Sequence, residues 1–399
     1  MTLGSGITIR SAEKSDDEGI RLLVETSFGF RHNERQLKRG PLIFPPEEAI
    51  VAVDGERVVG NVRSRTMTVT VPGERTVEAT GIAAVGVAPT HRRRGILRAM
   101  YTEQHRRTEE AGLPLTIFTA SEGGIYGRFG YGPAVRENSV SIDRRFAQFR
   151  PTTPDPGGVE LVPLARAEGR LEPLYDRWRR LVPGAQVRPK AWWGSIFDAA
   201  PQPDGNTPFA LVHPDGYALY RHHYNDSVAS VEVIEFRAVT TEAHAALWRT
   251  LFGLDLVQRV DAVIGDNNPL PYLLTNPRLV RTTQREDGLW ARLMDVPAAL
   301  AARTYRRDLD VVLAVTDPFR AAGGTFALRV RDGIAECEPT TRSVDVELGI
   351  DVLGSMYLGA YPARAFAAAN RLQVKDAAHL RALDDAFASD RDAVLGWFF

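Results

Sequence analysis

Residues 81–111, GIAAVGVAPTHRRRGILRAMYTEQHRRTEEA, restrict the fold more than any other stretch. Ile82, Ala83, Ala84, Val85, Gly86 and Val87 form a short apolar run, predicted to be a buried strand. Pro89 ends it, because proline cannot donate to a ladder. Ile96, Leu97, Met100 and Tyr101 recur at helical spacing with charged residues between them, so a helix follows. Between strand and helix sits His91-Arg92-Arg93-Arg94-Gly95. A helix start offers unpaired N–H groups at the positive end of its dipole, which suits phosphate. Gly95 lets backbone approach an anion closely, and the arginines add forked donors. The turn is therefore either a pyrophosphate cradle or an ordinary strand-to-helix turn with solvated arginines.

With 399 residues, about two to three domains are expected. The formal net charge of -1 gives no reason to expect nucleic-acid binding. Cys337 is the only cysteine, which excludes an intrachain disulfide and a cysteine metal cluster; small buried filler is its expected role, and no metal is expected. The N-terminal MTLGSGITIRSAEKSDDEG has no basic start or long apolar run, and no stretch reaches the roughly 18 apolar residues of a membrane span. A cytoplasmic chain is the expectation.

Strands are predicted at 7–10, 49–53, 57–69 and 115–120, with a helix around Ile20, Leu22, Leu23 and Val24 and a hairpin turn at Asp54-Gly55. A Pro/Gly-rich linker covers 150–158. Beyond it, a strand at 230–238 and a helix at 241–252 repeat the strand-then-helix order, but their turn has neither glycine nor arginine. His222 and His223 are expected at the surface, and Trp192 and Trp193 in packing between domains. Residues 289–294 alternate like a strand; 296–302 suit a helix with Pro297 in its first turn. Further strands are expected at 310–315, 325–330, 335–339 and 343–350, and an amphipathic segment at 376–387.

Arg92-Arg93-Arg94-Gly95-Ile96 is similar to the acetyl-CoA motif of the GNAT acetyltransferases, with Leu97 where that pattern usually has Gly or Ala. The longer stretches VAPTHRRRGILRAM and ASEGGIYGRFGYGPA resemble the Eis (enhanced intracellular survival) family of bacterial N-acetyltransferases. The likeness continues through HPDGYALYR, ALWRTLFGLD, DGLWARLMDVPAAL, VLGSMYLGA and AAANRL, covering nearly the whole chain.

The resemblance implies an α+β chain of two GNAT-like domains, residues 1–149 and a degenerate 150–289, followed by a sterol-carrier-protein-like domain at 290–399. It implies acetyl-CoA as acetyl donor. Backbone of Val85, Gly86 and Val87 would hold the pantetheine like an added strand, and N–H groups from Arg93, Arg94, Gly95, Ile96, Leu97 and Arg98 would take the pyrophosphate. Ser121 and Glu122 would close the other side. Tyr126 matches the family's general acid. A tyrosine can protonate the leaving thiolate, although Tyr131 is close in sequence, and either could instead be a loop anchor. The chain ends Gly396-Trp397-Phe398-Phe399. Three aromatics in a row are costly to leave in water, so this tail should dock, and desolvation would raise its α-carboxylate above the usual ~3.3–3.7. In the family that carboxylate, here of Phe399, is the general base.

Eis enzymes acetylate aminoglycosides at several amines, and some modify protein lysines; a homohexamer is also implied. In this chain Ser27-Phe28-Gly29-Phe30-Arg31-His32 offers no acid before Glu34, and Phe398 stands before the terminal residue. Those residues favour a smaller or more apolar amine, with Phe28 and Phe30 lining its pocket. The competing function is a lipid or small-molecule carrier built on the last domain, with a vestigial acetyltransferase fold.

Overall fold

The structure, a computed structural model, describes residues 3, 6–197, 207–225, 228–320 and 323–399. Residues 1, 2, 4 and 5 of the N-terminal stretch lie outside them. Three mixed sheets carry the chain. The first uses β1 (Thr8–Ser11), β2 (Ile50–Asp54), β3 (Arg57–Val71), β4 (Arg75–Val87), β5 (Leu115–Phe118) and β6 (Gly132–Pro133). Its order is β1-β2-β3-β4-β5, then the strand Trp290–Leu293, then β6. Its helices are α1 (Asp17–Phe28), α2 (Glu34–Ile43) and α3 (Ile96–Glu110).

Two strands cross the expected boundaries at 149/150 and 289/290. β7 (Arg136–Asp143) pairs with Arg259–Ile264 and Arg281–Asp287 in the second sheet, although it precedes the linker. Trp290–Leu293 pairs with β5 and β6 in the first. The alternation expected there is absent, because all four residues are buried. Both faces are covered, and the helix Ile350–Met356 packs so closely that a Cβ at Gly354 would collide with the Ala291 carbonyl.

In the second sheet, Val228–Ala238 and Arg259–Ile264 run parallel around the helix Thr241–Phe252. The first sheet repeats this plan in β4, α3 and β5. The third sheet is antiparallel except for the parallel pair Leu309–Thr316 and Val346–Gly349. One hydrophobic core runs through all three units, from Val69 and Leu115 through Tyr175 and Tyr217 to Leu328 and Trp397.

Some expectations change. The run 82–87 is the end of a longer strand, and its residues after Ile82 are only half-buried. Cys337 is also half-buried; burial still pushes its thiol up to about 12, so it is inert near neutral pH. His222 and His223 are half-buried, and His223 lies 2.8 Å from Glu232. Trp193 is buried and Trp192 packs on Trp397. No helix among the described residues is long and apolar enough to cross a membrane.

Burial pushes His244 down to about 4 and His105 well below its usual value. The unfolded chain takes up these protons near pH 6.5, so their contribution is complete above that pH and is lost as pH falls. Thermal melts should show lower stability at about pH 5 than at about pH 7, with His244 responsible for roughly 2 kcal/mol of the difference. His244→Phe should flatten that slope; an unchanged slope would assign it to other groups.

Candidate active site

β4 and β5 are hydrogen-bonded from Ala79↔Leu115 to Ile82↔Phe118 and no further. Beyond Ile82, β4 keeps β3 on one edge, through Gly60↔Val87, while no strand among the described residues pairs with its other edge. A bulge opens this wedge. Ala83 faces Arg63 and Gly86 faces Asn61, so Ala84 and Val85 together occupy the place opposite Val62. Ala84 sits at φ 51°, a strained conformation for a residue with a Cβ, and buried Asn61 donates to its carbonyl at 2.9 Å. Val85, Gly86 and Val87 thus present unpaired backbone to the gap, as an added extended ligand requires.

α3 starts beside this gap. Gly95 precedes it at φ 79°, and no side chain caps its first N–H groups. A Cβ on Gly95 would meet nothing, so the approach to the helix end is open. Arg92, Arg93 and Arg94 are exposed and have no ion-pair partner among the described residues. Ile96 is buried and anchors the first turn, Leu97 is half-buried, and the Arg98 guanidinium lies over Phe319 at 5.0 Å. The equivalent helix of the second unit differs. Thr240 caps Thr241–Phe252 by accepting from the Ala243 N–H, and Glu242 adds negative charge in its first turn. That end is already satisfied and repels phosphate.

Ser121 and Glu122 are exposed just beyond β5. Tyr126 follows on the loop to β6, nearly buried, its ring 4.3 Å from Phe118 and 6.2 Å from both Tyr101 and Trp290. Its hydroxyl has no hydrogen-bond partner among the described residues. Burial, then the Glu122 charge, raise its pKa and keep it protonated. Tyr131 is in a different situation: its hydroxyl shares a 2.8 Å hydrogen bond with His105 Nε2. Arg292, fully buried, donates to the Phe129 carbonyl at 2.9 Å and ion-pairs with Asp317, holding the loop that carries Tyr126.

The C-terminal tail docks as expected. Thr119, the residue after β5, donates from Oγ1 to a Phe399 oxygen at 2.9 Å. Phe44, at the end of α2, stacks on the Phe399 ring at 6.4 Å. Phe118 therefore touches Tyr126 while its neighbour holds Phe399. Thr119, Phe44 and α2 were not singled out in the sequence. The only signal for α2 was the reciprocal Asn33 and Gln36 cap at its start.

Phe28 and Phe30 stand at the end of α1, 42% and 43% exposed, and no described contact joins them to Tyr126 or Phe399. α1 does reach the wedge, since a Cβ at Gly86 would lie 3.3 Å from Ser27 Oγ. Glu25, which precedes this stretch, turns back to bond the His32 ring at 3.0 Å.

A cavity of about 850 Å³ lies in the corresponding wedge of the second unit, between residues 233–238 and 263–265, with tail residues 389–398 as its other wall. Trp178, Trp192, Phe236 and Trp397 line it, and Glu137, Glu235, Asp390 and Asp392 are matched by Arg136, Arg237, Arg306 and Arg391. Among the described residues, no group of three or more His, Cys, Asp or Glu is arranged to hold a metal.

Residues 8–134 and 184–303 each match an acetyltransferase (GNAT) domain family, and 296–396 match a sterol carrier protein domain. The chain is 46% identical over 398 residues to N-acetyltransferase Eis of Mycobacterium tuberculosis, covering 96% of this chain and 97% of that protein. An uncharacterized N-acetyltransferase of Streptomyces griseus is 33% identical over 85% of this chain and 86% of its own. Among solved structures, Eis1 from Mycobacterium abscessus superposes with a TM-score of 0.88 at 30% identity, covering 98% of this chain and 100% of that one. A GCN5-related N-acetyltransferase from Anabaena variabilis, at 20% identity, has the same fold with a TM-score of 0.84 over 98% of this chain and 100% of its own.

Proposed function

The chain belongs to the Eis family of N-acetyltransferases, and from that premise we propose that it moves the acetyl group of acetyl-CoA directly onto an amine held between Tyr126 and Phe399. The observation that carries this is the Thr119 bond to Phe399, which brings the tail to the end of β5, next to the residue that packs on Tyr126. The pyrophosphate rests on the uncapped start of α3, and the pantetheine lies along residues 85–87. The amine nitrogen attacks the thioester carbonyl, and the Val85 N–H meets the developing oxyanion. The Phe399 carboxylate accepts the ammonium proton as the C–N bond forms. The C–S bond then breaks, and Tyr126 protonates the departing thiolate. Placing both reactants in one wedge supplies much of the rate.

The acceptor reaches this point from the cavity beside the tail. Its aromatic walls and matched charges suit a compact amine with an apolar body better than an aminoglycoside polycation. An aromatic amine should therefore be acetylated with a higher kcat/KM than a kanamycin-like compound, measured by CoA thiol release. The reverse order would return the assignment to polyamines. The family's homohexamer is part of the same proposal and is tested by sedimentation.

Gly95→Val should raise KM for acetyl-CoA about tenfold with kcat little changed, since a β-branched residue at φ 79° deforms the turn by roughly 1–2 kcal/mol. Absence of CoA binding to the unaltered protein would favour the carrier function.

A further inference from the structure

The splayed end of Val228–Ala238 corresponds to the stretch of β4 assigned above to pantetheine, yet its polar side chains turn to the C-terminal tail. Arg188, 6% exposed, donates through Nη2 to both Glu235 oxygens at 3.1 and 3.2 Å and to the Gly396 carbonyl at 3.0 Å. Three rings box its guanidinium: Tyr175 at 3.9 Å, Trp192 at 4.4 Å and Trp193 at 4.4 Å. Its Nε and Nη1 have no hydrogen-bond partner among the described residues. The ring faces are what offset the desolvation of that side of the cation. Arg237, stacked on Trp178 at 4.2 Å, donates to the same Gly396 carbonyl at 2.9 Å. Gln186 accepts from the Gly396 and Trp397 N–H groups at 3.1 and 3.3 Å.

Burial opposes charge on both Arg188 and Glu235. Even so, Glu235 holds the guanidinium above its ordinary value, and the two arginines hold the Glu235 carboxyl below its own. The site is thus charged, buried and fully formed within one chain, and what it grips is backbone three residues before Phe399. A short tail needs no such anchor for packing alone, since Trp397 already buries its ring and donates to the Val187 carbonyl. We propose that Arg188, seated in its aromatic box and paired with Glu235, is the positioning residue that sets the Phe399 carboxylate against the thioester, and that this is what the second unit's emptied cofactor wedge now does. The proposal rests on Phe399 being the general base, so the test separates the two.

The experiment measures kcat, KM and CoA affinity by calorimetry for the full chain, for Arg188→Met, for a chain with one glycine added after Phe399, and for both changes together. Arg188→Met should lower kcat about 100-fold, the effect of a displacement near 1 Å, with CoA affinity unchanged. Arg188→Lys should not restore it, because a compact ammonium needs three hydrogen bonds and cannot fill a flat box. Adding Arg188→Met to the glycine-extended chain should cost less than about threefold more, because two changes acting through one group are not additive. Wild-type kcat in Arg188→Met, or full multiplication of the two losses, overturns the proposal while leaving the base assignment in place. A harmless added glycine overturns the base assignment itself. If Arg188→Met does not fold, the uncharged Gln186→Met decides in its place: a kcat loss of about tenfold without a change in CoA affinity supports the anchor, and unchanged kcat removes it.

Discussion

One glycine added after Phe399 is expected to lower kcat about 1000-fold while leaving acetyl-CoA affinity intact, which is the usual share of a general base. The extension moves the carboxylate one residue outward and puts a neutral amide where Thr119 now donates to the Phe399 oxygen. The tail upstream has little freedom to compensate. Val394 donates to the Pro183 carbonyl at 2.9 Å, Gly396 is held by two arginines, and Trp192 Nε1 donates to the Phe398 carbonyl at 3.3 Å. The register is therefore fixed by several bonds, and added length can only project beyond the site. Calorimetry with CoA and a thiol-release assay measure the two halves of this expectation. Full turnover by the extended chain would mean that the ammonium loses its proton elsewhere.

Tyr126→Phe is expected to cost about 100-fold or more in kcat with no change in acetyl-CoA affinity or stability. The ring is what packs against Phe118, Tyr101 and Trp290, and phenylalanine preserves it. The hydroxyl has no protein partner among the described residues, so its loss breaks no hydrogen bond within the fold. A drop in rate alone then reports chemistry. Tyr131→Phe makes the contrast: it removes the bond to His105 inside the core and should destabilise by about 1 kcal/mol with a smaller effect on kcat. If the two variants exchanged these phenotypes, the acid would be Tyr131.

The turn at 92–95 was legible because its chemistry is local. A glycine at φ 79°, a helix whose first N–H groups lack a cap, and clustered arginines are all consequences of a few adjacent residues. The same locality explains why the different chemistry of the equivalent turn could be seen at 238–243: Thr240 caps the helix where the first unit has Gly95, and Glu242 adds negative charge to its first turn. The strand 82–87 was placed correctly but its burial was not, since the composition of a strand does not tell where its neighbour stops pairing. Trp290–Leu293 suggested alternation, which a strand covered on both faces does not need.

The amino-acid order by itself determined most of the strands and helices, α2 excepted, the arginine-glycine turn at the start of α3, and the apolar character of the tail, because each depends on residues within a few positions of one another. Where that tail goes is a different kind of question. The meeting of Thr119 with Phe399, the grip of Arg188 on the Gly396 carbonyl and the covering of the Tyr126 loop by Arg292 join residues 280, 208 and 163 positions apart. Only packing of all three units could bring them together. The Arg188 guanidinium has two of its rings, Trp192 and Trp193, within five positions, but it meets the Glu235 carboxylate and the Gly396 carbonyl only through that packing, and nothing in the neighbouring sequence specifies either of those partners.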